Sequence, residues 1–117
     1  IATTRIVEDA RFDAKLTKID LAGEPIYPKW LFYYYCTHLR IVPNPSFLFD
    51  TTGFASKKRE AIVAYESQFV IPENNRPIVN WIDAQDKYFG GRIRTETAEP
   101  FYTHEPIGLA DLNSLIN

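Results

Sequence analysis

The groups that could do chemistry in this chain are few. There are two histidines, His38 and His104, and one cysteine, Cys36. A zinc site takes three or four converging ligands from His, Cys, Asp or Glu. Neither histidine has a partner four residues away on a helix, and no CxxC pair exists. A complete metal site within these residues is therefore not expected. His38, beside an aromatic strand end, reads as a loop residue, and His104, between Thr103 and Glu105, as a solvated one. Cys36 with His38 or His104 could in principle form a nucleophilic pair, but no surrounding signature supports one. At the end of an apolar run, Cys36 reads as a small buried hydrophobe. Paired carboxylates occur at Glu8-Asp9 and at Asp83 with Asp86. On helix faces these read as solvating groups. No GxGxxG, phosphate-binding loop or GxSxG pattern is present.

The elements that must hold these groups follow from periodicity and punctuation. Residues 3–15 predict a helix with Ile6, Val7, Ala10 and Ala14 on one side and Thr3 or Thr4 as cap. Gly23-Glu24-Pro25 and Tyr27-Pro28 mark a loop. Residues 30–36, WLFYYYC, predict a strand covered on both faces, as in a parallel sheet. In such a strand Tyr33 and Tyr35 share one side, and one face at most can line a pocket. Residues 38–45 form a loop with two prolines, and 46–50 a second strand. Residues 54–69 predict a helix with a stripe of Phe54, Ala61, Ile62, Tyr65 and Phe69. Ser67-Gln68 at its end reads as a structural latch. Residues 77–89 predict another helix, with Pro77 in its first turn and Ile78, Trp81, Ile82, Tyr88 and Phe89 inward. Asp83 can pair with Lys87 one turn on, and Gly90-Gly91 supplies the stop. An extended segment at 95–101 and a short helix near 109–116 complete the chain. The order reads as α/β. Two strands cannot close a core alone, which suggests an incomplete sheet.

The 117 residues suffice for one small domain. Net charge is −2, so no basic field exists to hold a nucleic-acid backbone. No apolar run approaches the roughly 20 residues of a membrane span. With one cysteine and no visible signal peptide, a cytoplasmic setting is expected. Aromatic residues make up 15%, a load that fills cores and can also hold sugar rings.

Three stretches in order resemble the PIG-L/LmbE type of zinc-dependent de-N-acetylase. They are YPKWLFYYY (27–35), KREAIVAYESQF (58–69) and TAEPF (97–101), the last followed by Glu105-Pro106-Ile107. The helix ending Tyr88-Phe89-Gly90 also fits the family. The resemblance implies the C-terminal portion, residues 1–117, of a Rossmann-like three-layer α/β/α fold. In the family a His-Pro-Asp-His motif opens the helix that resembles residues 1–15. A His-Pro-Asp-Asp motif lies further towards the amino end. These two motifs carry the zinc ligands and the aspartate base, and neither is in this sequence. The expectation is that the N-terminal metal-binding half is absent, and that this piece alone binds no zinc and is inactive. In the complete enzyme the resemblance implies hydrolysis of the acetamide of an N-acetylglucosaminyl conjugate by zinc-activated water. This half would supply pocket walls. Tyr27 sits where many relatives place an arginine at the active-site rim. Thr97 sits where several have a tyrosine that reaches the oxyanion, a reach too long for threonine. Tyr27, Tyr35, His38, Thr97 and His104 are the substrate-pocket candidates. The alternative is a non-catalytic interaction or carbohydrate-binding module related to that family. The expected partner is an amino-sugar conjugate, and an uncovered sheet edge favours homo-oligomers.

Overall fold

The computed structural model describes residues 2–18, 20, 22–35, 44–113 and 115. The chain divides into two compact units, residues 1–31 and residues 32–117.

In the first unit, helix α1 spans Ala2–Asp13. It begins ahead of Thr3 and Thr4, which lie inside the first turn and do not cap it. None of its residues is buried; Ile6 and Phe12 are more than half exposed. The expected apolar stripe is thus open to solvent. The segment 25–29 is tied back to α1 by polar contacts. Arg11 donates from Nε to the Pro28 carbonyl at 3.0 Å and from its terminal nitrogen to the Lys29 carbonyl at 3.1 Å. The Ile26 amide donates to the Ala14 carbonyl at 2.8 Å.

The second unit is a mixed α/β domain on a three-stranded sheet. Strands β1 (Tyr33–Tyr34), β2 (Phe47–Asp50) and β3 (Ala98–Tyr102) lie in the order β1-β3-β2, and both pairings are antiparallel. The expectation of a parallel arrangement around residues 30–36 is therefore corrected. The aromatic run contributes two paired residues, and Tyr34 is 80% exposed, not covered on both faces. Pro100 explains part of this brevity. Thr97 and Phe101 turn their carbonyls to the β2 side, where they accept from the amides of Thr51 and Ser46. Alternation then points the Pro100 nitrogen towards β1, where it has no proton to donate. The β1 ladder stops at the Tyr34–Phe101 pair, one residue short of it.

Helix α2 (Ala55–Val63) follows a turn in which Gly53 adopts φ +83°, a conformation open to glycine. The predicted single helix over 54–69 is broken. A short α3 (Glu66–Phe69) begins after Tyr65, whose ψ of 61° leaves the helical region. Phe54 and Tyr65, expected inside, are exposed. Near the latch expected at Ser67-Gln68, the Asn75 side-chain amide donates to the Gln68 carbonyl at 2.8 Å.

Helix α4 (Arg76–Arg92) is the main packing element, with Pro77 in its first turn as its ring geometry favours. Its buried residues are Val79, Ile82, Asp86, Phe89 and Gly90, a stripe at i, i+3, i+7, i+10 and i+11 laid against β3. Trp81 and Tyr88, expected inside, are each over 60% exposed. The sequence pattern misleads here because the large aromatics outweigh the smaller Val79. The helix does not stop at Gly90-Gly91 but runs through both. Gly90 allows close packing: a Cβ on it would lie 2.7 Å from the Thr97 Cα. Asp83 is paired with Arg59 of α2, not with Lys87. Among the described residues, the buried apolar core is Val79, Ile82, Phe89 and Ala98. No helix forms among the described residues of 109–115.

Candidate functional site

One cavity in the second unit, of about 340 Å³, collects polar and apolar groups from α2, α4, β3 and the β1 end. Helix α4 gives Ile82, Asp86 and Phe89; the central strand gives Glu99, Pro100 and Phe101. Tyr34 and Tyr35 close it at the β1 end, and Lys58 reaches it from α2. An apolar floor with a few convergent polar groups is the usual composition of a small-molecule site.

Lys58 is the hub. Its Nζ lies 2.9 and 2.8 Å from the two Asp86 carboxylate oxygens and also pairs with Glu99 Oε1. The side chain of Asp86 is 9% exposed, whereas those of Lys58 and Glu99 are about 30% exposed. Burial of the Lys58 ammonium works to lower its pKa, but its hydrogen bonds to Asp86 and Glu99 outweigh that and hold it above the ordinary 10.5. For Asp86 burial dominates. It raises the carboxyl above its ordinary value, Lys58 opposes the rise, and the charges of Glu99 and Asp83 add to it. The triad holds one cation between two anions.

Tyr35 sits at this cavity. Its hydroxyl is shielded from solvent and has no hydrogen-bond partner among the described residues. Burial, with a smaller contribution from Tyr102, raises its pKa.

The other sequence candidates are dispersed. Thr97 is 2% exposed and lies under Gly90, with its hydroxyl 3.1 Å from that of Thr51. It is a packing residue at the start of β3 and does not line the cavity of Tyr35. His104 is exposed, with its ring edge-on to Tyr33 and Tyr102 at centroid distances of 5.2 and 5.0 Å. Its Nδ1 is 3.3 Å from the Tyr102 hydroxyl. Tyr27 belongs to the first unit, where Arg11 stacks over its ring at 4.6 Å and Lys15 approaches it at 5.1 Å. His38 and Cys36 lie outside the described residues. Among the described residues no group of three or more His, Cys, Asp or Glu side chains could hold a metal ion, so those residues do not fit a zinc site.

Sequence reasoning missed Lys58, Asp86 and Glu99 as a unit. As a helix-face carboxylate Asp86 reads as solvating, yet it is buried and ion-paired. The usable signal is its spacing from Val79, Ile82 and Phe89, which puts it on the inward face. No helix is long and apolar enough to cross a membrane among the described residues.

No family model matches the sequence. Among solved structures the chain is similar to the crystal structure of the conserved protein TT1542 from Thermus thermophilus, with 30% identity and a TM-score of 0.79. The match covers 92% of this chain and 46% of that one. The chain thus spans less than half the length of the solved structure it resembles, and that likeness extends over nearly all of its own α/β architecture.

Proposed function

We propose that this chain forms the sugar-binding flank of a zinc-dependent amide hydrolase that removes acetyl from an N-acetylglucosaminyl conjugate. One observation carries the reading. The three stretches that resemble the de-N-acetylases meet at one cavity: Tyr34 and Tyr35 come from the first, Lys58 from the second, and Glu99 to Phe101 from the third. These stretches lie far apart in the chain, and their convergence gives the resemblance a spatial meaning.

In this reading the described residues bind and orient; they hold no metal. Phe101 and Tyr34 offer ring faces to the apolar side of a sugar. Lys58 and Glu99, each about one-third exposed, offer a donor and an acceptor to its hydroxyls. Zinc would supply a hydroxide nucleophile, held by ligands other than the described residues. His104 and Tyr27 have no assigned contact at the cavity.

The test is to assay the whole encoded polypeptide for bound zinc and for acetate release from N-acetylglucosamine derivatives. Zinc together with release supports the reading. Sugar binding without zinc or release supports a non-catalytic carbohydrate-binding module in its place.

A further inference from the structure

We infer that the cavity favours a ligand bearing a protonated amine over its acetylated form. This deepens the sugar-binding reading and rests on it.

Lys58 is a single ammonium set between Asp86 and Glu99, which leaves the triad with one unbalanced negative charge. Among the described residues Lys58 is the one cation paired with Asp86 and Glu99. Asp83 is already matched by Arg59, and Gln85, which also lines the cavity, is neutral. Asp86 is nearly buried, so the excess charge is poorly solvated. Glu99 is the accessible member, and Lys58 meets it through Oε1. A ligand ammonium beside Glu99 would complete a two-cation, two-anion arrangement. The aromatic rings favour the same occupant. Tyr34 is largely exposed at the cavity, Phe101 lines it, and ring faces attract ammonium groups. An acetamide at the same place brings no charge and a bulkier head. The deacetylated sugar is such an amine, so the site would hold the product form better than the substrate form.

The experiment is a calorimetric or NMR titration of the protein with glucosamine, N-acetylglucosamine and glucose at neutral pH. The expected result is about fivefold tighter binding of glucosamine than of either neutral sugar, the scale of one partly exposed charge pair. In Glu99→Gln that advantage falls to near one, whatever the variant's absolute affinity for glucose. Asp86→Asn provides a second variant with the same expected loss, and melting curves establish that each variant is folded. Equal affinity for the three sugars, no sugar binding, or a preference that survives in folded Glu99→Gln overturns the inference. Acetate release is scored on separate samples. Release with equal sugar affinities overturns this inference alone, and an amine preference without release overturns the hydrolase reading alone.

Discussion

Gly90 of α4 lies against the backbone of Thr97 so closely that a methyl group has no room: a Cβ would fall 2.7 Å from both the Cα and the N of Thr97. The contact sets the distance between the main helix and the start of the central strand. Gly90→Ala should destabilise the domain by about 1–3 kcal/mol through overpacking, although alanine favours helix. Gly91→Ala, whose Cβ meets nothing within 4 Å, should be neutral or stabilising by up to about 1 kcal/mol. Denaturant midpoints for the pair test this. Equal effects at both positions would contradict the close approach.

Ile82 and Trp81 make a second comparison. Ile82 is 3% exposed and Trp81 is 61% exposed. Ile82→Ala should lower stability by about 2–4 kcal/mol. Trp81→Ala should change it by about 0.5 kcal/mol or less. A larger loss at Trp81 would place the buried face elsewhere on the helix.

Lys58 gives a pH-dependent expectation. Its pKa is raised, so its stabilising contribution is full below 10.5 and is lost as pH rises through its folded value. The Asp86 pKa is also raised, so its ionisation destabilises the fold. Its contribution is most favourable below 3.8 and diminishes as pH rises through its folded value. Lys58→Met leaves Asp86 and Glu99 as neighbouring carboxylates without a cation, which pushes Asp86 further up. The variant should be less stable than the parent by about 2 kcal/mol near pH 7 and by clearly less near pH 4. Urea denaturation at both pH values measures the difference. An equal deficit at the two pH values would contradict the shared-cation account.

Thr97 tests the distinction between packing and chemistry. Thr97→Val keeps the shape but removes the hydroxyl that faces Thr51. A loss of about 0.5–1.5 kcal/mol is expected, with sugar affinity unchanged. Weakened sugar binding at intact stability would return Thr97 to the ligand site.

The legible parts of the fold are those with strong local signals. The first helix, the strand at 47–50, Pro77 in the first turn of α4 and the extended segment near 98–102 all appear within a few residues of expectation. The errors arise where tertiary context decides. The tyrosine run looks like a buried strand, but its pairing depends on Pro100, far along the chain. Gly90-Gly91 looks like a stop, yet Gly90 serves a contact with another element. The candidate site is legible only in part. Tyr35, a candidate from the sequence, lines the cavity. Lys58, Asp86 and Glu99 form a unit only when three elements meet, and no local pattern signals that meeting. Thr97 and His104 stand out by their type and position in a motif, but burial and packing assign them other surroundings.

The most direct measurement of the central claim is acetate release from an N-acetylglucosaminyl conjugate by the whole encoded polypeptide, compared with its Glu99→Gln variant. The account predicts release by the parent and a fall in kcat/KM of about tenfold or more in a variant that melts normally. No release by the parent, or unchanged kinetics in the variant, would contradict it.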